Sequence, residues 1–382
     1  MFLCDECVSD EALKAFVQEK AEAERCDYCG RKANDPIASS FDDFAQALQD
    51  GFDVDWEDAL EFMPTDGADW AIPNAQKDIW DILDDYELEL HEQLRRDVIE
   101  RFQDTTFAPR YYFGVAPDER LHYGWDAFVE HVSHRSRYLF LTTGDDADSG
   151  EIPVSEMLRE LGAAVQEAGL VSELPEGTLL HRVRTHGRND YPSTASELGA
   201  PPVQYATISS RMSPNGIPMF YGARDRDTAL RETSSGGRGI AWYLTLAIWE
   251  VGPGFQILDL VVPPAIPSVF DAERRHLIGP LRFLHVFVEE VRKRIARDQQ
   301  EHIEYVPTQI VAEYFGHLYE HQTGQRVDGI AYRSAAVANG SNVVLFIGNE
   351  DCVDDYGAAP SNEWKVRLVS FERLQTVFRA VT

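Results

Sequence analysis

The sequence predicts an α+β protein in which a cysteine-bearing head and an acidic helical segment precede a mixed α/β domain. Three observations carry this: two CxxC knuckles at Cys4–Cys7 and Cys26–Cys29, a long amphipathic helical stripe, and a switch to strand-like texture after residue 178. A chain of 382 residues exceeds one ordinary core. Three segments are therefore expected: a Cys4 zinc knuckle over 1–38, an acidic helical domain over 39–172, and an α/β domain over 173–382.

The head comes first. Two CxxC turns separated by 18 residues offer four soft ligands, and zinc takes four in a tetrahedron. Gly30 follows the second knuckle where a tight turn is needed. Cys4, Cys7, Cys26 and Cys29 are thus the expected ligands of a closed, structural Zn²⁺; free or redox-active thiols are the other reading. Cys352 stands alone and reads as a small buried filler.

The helical segment is recognised by period. Ile79, Leu83, Tyr86, Leu90, Leu94, Val98 and Phe102 recur every three or four places among charged residues, which predicts one helix across 77–102. Further helices are expected in WDAFVEHVSHRSRYLF and in SEMLRELGAAVQEAGL, the latter with Ser155 as a cap. TTGDDADSGE at 142–151 reads as a loop. Net charge is −30, and it is lopsided: residues 1–170 hold 40 acidic and 14 basic side chains. Such a surface repels phosphate backbones and argues against nucleic-acid binding.

After residue 178, TLLHRVRTH, PMFYGAR, IAWYLTLAIWEV, FQILDL, VDGIAYRS and NVVLFIG read as strands. PLRFLHVFVEEVRKRIARD and TQIVAEYFGHLYEHQTG read as helices between them. The opening residues lack a basic start and an apolar run, and no stretch is long enough to span a bilayer, so the expected place is the cytoplasm.

The chemistry-bearing stretch runs from Arg211 to Glu232. It reads as a loop, a turn at Asn215–Gly216, a strand carrying Tyr221, and a helix carrying Glu232, with Asp227 or Thr228 as its cap. Strand and helix packed face to face bring these side chains together. Taken singly, each has a plainer reading. Glu232 is a solvated helix charge, Tyr221 strand packing, Ser334 a loop hydroxyl and Arg182 an ion-pair partner.

Four blocks together resemble the RES family: Leu180-His181-Arg182, Arg211 through Glu232, Gly329 through Ser334, and Asn339 through Phe346. The resemblance covers about half the chain and departs from the usual motif at Met212, where a Trp is common. It implies a fold like that of ADP-ribosyltransferase toxins and cleavage of the nicotinamide–ribose bond of NAD⁺ by hydrolysis or phosphorolysis. It also implies a toxin restrained by an antitoxin, with a HEPN-type domain in front. Glu232, Arg211, Tyr221 and Ser334 are then the catalytic candidates. NAD⁺ would be held by Arg182, Arg211, Tyr221, Ser334 and Asn342. The residue types suit this. A carboxylate stabilises an oxocarbenium-like ribose, guanidinium forks bind pyrophosphate, and an aromatic face meets a cationic ring.

Other functions compete. The same site can ADP-ribosylate a macromolecule, since the acceptor lies outside the NAD⁺ pocket. A HEPN ribonuclease needs Arg and His at R-x(4–6)-H spacing. Residues 1–170 contain no such pair, and Arg297-x4-His302 reads as a chance match. A pure interaction module is the third reading. Expected partners are NAD⁺, an antitoxin or regulatory protein and a second copy of the chain, without membrane or nucleic acid.

Overall fold

The computed structural model describes residues 1–62, 75–112, 114–139, 152–234, 243–293, 301–355 and 364–375. The expected loop at 142–151 lies outside these residues, as does Arg297. The chain divides into two compact units: residues 1–117 with 265–279, and residues 118–264 with 280–382. Compactness thus groups the chain differently from the three segments expected at 38 and 172. The head shares one core with the helices after it, and the helices beyond residue 117 belong to the sheet unit.

In the first unit, β1 (Phe2–Cys4) pairs antiparallel with β2 (Ala38–Ser40). Between them runs α1 (Glu11–Glu19), capped by Asp10, which accepts the Leu13 N–H at 2.9 Å. Next comes α2 (Phe41–Phe52), capped by Ser40. β3 (Trp56–Asp58) pairs with β4 (Phe107–Pro109). α3 (Ile79–Asp85) and α4 (Glu92–Phe102) lie between these strands in sequence.

The single helix expected over 77–102 is therefore two. Glu87 takes a left-handed conformation at φ 49°, Leu88 N–H closes back on the Leu83 carbonyl at 2.9 Å, and His91 caps the second helix through Nδ1. The apolar period survives the break. Ile79, Leu83, Leu94, Val98 and Phe102 are buried in one core, while Tyr86 and Leu90 pack against it. Phe52 is the hub, with the rings of Tyr86, Phe102, Phe107 and Phe270 at centroid distances of 5.7 to 5.9 Å.

The second unit holds α5, which begins at Pro117 and ends at His134, and α6 (Met157–Glu167). α6 has no side-chain cap, so the Ser155 cap is not used. The strands are β5 (Val171–Leu174), β6 (Leu179–His186), β7 (Phe220–Ala223), β8 (Tyr243–Val251), β9 (Phe255–Leu260), β10 (Gly329–Arg333), β11 (Ser341–Leu345), β12 (Cys352–Asp354) and β13 (Val366–Gln375). They form one mixed sheet in the order β12-β13-β8-β6-β7-β11-β10-β9-β5. The pairs β9–β10 and β12–β13 are parallel, and the rest are antiparallel. The six expected strands are all present. β5, β12 and β13 escaped notice because their side chains do not alternate cleanly between apolar and polar.

The helices of this unit after β6 are α7 (Ala195–Leu198), α8 (Arg226–Ser234), α9 (Ile278–Arg292), α10 (Glu301–Glu304), α11 (Val306–His317) and α12 (Tyr319–Thr323). Leu180, Phe220, Trp249, Val343 and Leu345 pack into one core with Leu198 and Cys352. Cys352 is a buried filler, as expected, and burial pushes its thiol up to about 11. No helix among the described residues is long and apolar enough to cross a membrane.

Candidate active site

Four central strands build the floor. In register across the sheet, His181 of β6 faces Ala223 of β7, Ala223 faces Asn342 of β11, and Asn342 faces Tyr332 of β10. Directly paired residues point to the same face, so these four share one level and one side. Ala223 also packs with Ala229 of α8, which shows that this is the face α8 covers.

α8 is seated by its first turn. Asp225, not Asp227 or Thr228, is the cap: its carboxylate accepts the Thr228 N–H at 2.8 Å and hydroxyl at 2.7 Å. The loop after β10 closes when Ser334 N–H meets the Gly340 carbonyl at 2.8 Å. A Cβ at Gly340 would lie 2.2 Å from the Thr228 hydroxyl, so glycine is what lets this loop approach the helix.

That approach brings Ser334 and Asn342 to Glu232. The Ser334 hydroxyl donates to Glu232 Oε1 at 2.6 Å, and Asn342 Nδ2 donates to the same oxygen at 2.9 Å. Ser334 is fully buried and accepts the N–H groups of Ala336 and Val337 at 3.0 and 3.1 Å. Its one proton is thereby directed at the carboxylate.

Tyr221 stands one step along β7 from this level. Its hydroxyl meets Met212 N–H at 3.2 Å and the Ser213 hydroxyl at 3.0 Å, which ties the cavity to the 209–213 loop. Burial raises its phenol, with the Ser213 and Met212 hydrogen bonds opposing. From the other side, Gln309 of α11 donates to Ser209 Oγ at 2.7 Å and the Ser210 carbonyl at 2.8 Å. Thr308 donates to the Arg211 carbonyl at 2.5 Å. Gly216, at φ 91°, makes the turn expected at Asn215–Gly216.

A cavity of about 170 Å³ opens here, lined by His181, Tyr221, Ala223, Glu232, Tyr332 and Asn342 among others. The structure therefore brings together Tyr221, Glu232, Ser334 and Asn342. Arg182 also contributes to the cavity lining, but both arginines commit their guanidinium groups to backbone carbonyls. Arg211 donates to the Val291 carbonyl, and to the Lys293 carbonyl at 2.7 Å, at the end of α9; its guanidinium sits over the Tyr305 ring. Arg182 follows Leu180 by two residues and shares its side of the sheet, away from α8. It donates to the carbonyls of Leu198 and Tyr221 at 3.1 and 2.7 Å and lies over the Phe220 ring. Burial lowers its guanidinium to about 10, which still leaves it charged at neutral pH.

Two cavity residues went unnoticed in the sequence. Tyr332 lay within the GIAYRS block, but only its pairing with Asn342 puts it on the floor. It is buried, and burial pushes its phenol well above the usual range, with Tyr221, Arg211 and Glu232 near enough to act on it. His181 was overshadowed by its neighbour Arg182. Strand parity would have separated them had the covered face been known.

In the first unit the four cysteines converge. Cys4 and Cys29 Sγ lie 3.4 Å apart, Cys7 and Cys26 3.6 Å, Cys4 and Cys7 3.9 Å, and all four lie within 4.8 Å of one another. A tetrahedral ion with bonds of about 2.3 Å sets sulfurs roughly 3.8 Å apart, so the quartet fits such an ion. Burial favours the neutral Cys26 thiol, yet N–H groups from Cys29, Cys4 and Tyr28 bring it down to about 7, a thiolate-ready ligand. Gly30, at φ 74°, makes the turn.

Residues 19–146 match the family described as HEPN/RES N-terminal domain 1, and residues 179–368 match the RES domain. No curated protein matches the chain.

Proposed function

The chain belongs to the RES-domain family, with a HEPN/RES N-terminal domain ahead of the RES domain, and from that premise we propose that it cleaves the nicotinamide–ribose bond of NAD⁺. One observation carries the reading: Glu232 lines a cavity with Oε1 fixed by Ser334 and Asn342, beside the rings of Tyr221 and Tyr332.

The chemistry follows from that geometry. As the C1′–N bond breaks, its electron pair leaves with nicotinamide and positive charge develops on the ribose. A preorganised carboxylate stabilises that charge without having to reorient. Ser334 and Asn342 are positioning residues: they hold Glu232 Oε1 aimed into the cavity. Tyr221 offers its face to the nicotinamide ring. The oxygen of water or phosphate then adds to C1′ and loses its proton. Nicotinamide is already a good leaving group, so no metal is needed for this step.

The arginines act in this reading as well. Arg211 anchors the loop whose Met212 and Ser213 hold the Tyr221 hydroxyl, and Arg182 holds β7 at the Tyr221 carbonyl. The cavity is smaller than the roughly 300 Å³ of a pocket for a drug-sized ligand. It suits the nicotinamide riboside end, with the rest of the dinucleotide outside. The four cysteines of the first unit hold a structural Zn²⁺. NAD⁺ depletion makes the protein a growth-arresting effector that an antitoxin or regulatory partner must restrain.

The test is product analysis. Protein incubated with NAD⁺ releases nicotinamide, and Glu232→Gln lowers the rate by about a hundredfold or more. ADP-ribose indicates water as acceptor, ADP-ribose 1″-phosphate indicates phosphate, and label retained on protein indicates transfer. A Glu232→Gln variant with most of the wild-type rate removes Glu232 from the chemistry.

A further inference from the structure

His181 is the one side chain on the cavity's β6 wall with an unanswered polar atom. Its Nδ1 is buried and has no hydrogen-bond partner among the described residues. A buried nitrogen without a partner costs stability, and where it lines a cavity a ligand is the natural partner. Arg182, by contrast, is engaged by backbone carbonyls on the sheet's other face.

The register says what that partner is. His181 and Asn342 flank Ala223 on opposite sides, two strand spacings or roughly 10 Å apart. Asn342 holds Glu232, so the reacting C1′ belongs on the β11 side. A ring leaving C1′ across the small Ala223 side chain presents its outer substituent to β6. Near His181 stands the Asp225 carboxylate, which burial opposes but which its hydrogen bonds from Thr228 at the start of α8 hold below the usual carboxylate range. An anionic pyrophosphate is unwelcome beside it, whereas a neutral amide is not. An amide also carries both a donor and an acceptor, so either imidazole tautomer can pair with it.

We propose that His181 is a specificity-determining residue that hydrogen-bonds the carboxamide of the nicotinamide ring. The inference rests on the NAD⁺ reading above. It makes the site selective for NAD⁺ over nicotinic acid adenine dinucleotide, whose ring carries a carboxylate instead.

The experiment compares both dinucleotides with wild-type protein, His181→Leu and His181→Asn, full chain in each case. Wild type is expected to prefer NAD⁺. His181→Leu should raise KM for NAD⁺ about tenfold with a smaller change in kcat. It should also erase the preference between the two substrates and leave the melting temperature unchanged or higher. His181→Asn, which keeps a polar atom near Nδ1, should restore much of the preference. An equal loss on both substrates, or unaltered kinetics on NAD⁺, overturns the role of His181 while leaving NAD⁺ cleavage standing. A wild-type protein that releases no nicotinamide overturns both.

Discussion

The Ser334 hydroxyl donates to Glu232 Oε1 across 2.6 Å while two backbone N–H groups hold its own oxygen. A hydroxyl fixed in this way cannot also act as a nucleophile. Ser334→Ala should therefore lower kcat for nicotinamide release by one to two orders of magnitude with little change in KM. It should also cost about 1–3 kcal/mol of stability, because the Ala336 and Val337 N–H groups lose their acceptor. Steady-state kinetics and chemical denaturation read the two effects. A raised KM at unchanged kcat would make Ser334 a substrate ligand instead.

Asn342→Asp sets a second carboxylate where an amide now donates to Glu232 at 2.9 Å. Two like charges so close raise the pKa of one of them. The sign follows: activity at pH 7 falls, and it recovers in part as pH is lowered and one carboxylate of the pair is protonated. Asn342→Ala should show a loss without that acid-side recovery. Matching pH–rate profiles for the two variants would show that the pair is not coupled.

Gln309 lies outside the cavity yet holds the loop that holds Tyr221. Gln309→Leu leaves Ser209 and Ser210 without their partner and loosens the loop carrying Arg211. A loss of about 1–3 kcal/mol of stability and about tenfold in kcat is expected. Thermal unfolding and nicotinamide release measure it, and a variant with wild-type values of both would show that the clamp is dispensable.

The cysteine quartet predicts one zinc per chain. Cys26→Ser should leave well under half an equivalent, and chelator should lower the thermal stability of the wild type but not of the variant. Metal binding must displace thiol protons: Cys4 is raised to about 11, first by burial and then by Cys29 and Cys26 hydrogen bonds. Zinc affinity therefore falls as pH falls. Elemental analysis and calorimetry across pH check this; metal content independent of all four cysteines would place the ion elsewhere.

A fragment starting at Pro175 keeps eight of the nine strands but loses edge strand β5 and α6, whose Met157, Leu161 and Val165 are buried and whose Gly162 packs against Tyr314 of α11. It should be less stable than a fragment starting at Asp118. Similar melting temperatures for the two would show that α5 and α6 contribute little.

Much was legible in the sequence because local rules produced it. Cysteine spacing named the quartet, and two-residue and 3.6-residue periods named six strands of the sheet and the stripe buried by α3 and α4. Legibility failed where a local event overrode the pattern. Glu87 broke a helix whose apolar period ran on, and Asp225 capped α8 in place of its neighbours. The site was half legible: Tyr221, Glu232, Ser334 and Asn342 meet, while Arg182 and Arg211 hold backbone carbonyls and His181 and Tyr332 line the cavity.

By itself the sequence determined which segments are strands or helices and nominated the residues proposed to carry the chemistry, since both follow from residue type and short-range period. Only the tertiary structure decided which side chains face the same space. Strand parity turns one residue of each adjacent pair away, and the register between β6, β7, β11 and β10 is set by pairing across residues far apart in the chain. That is why Arg182 lies behind the sheet and His181 beside the cavity.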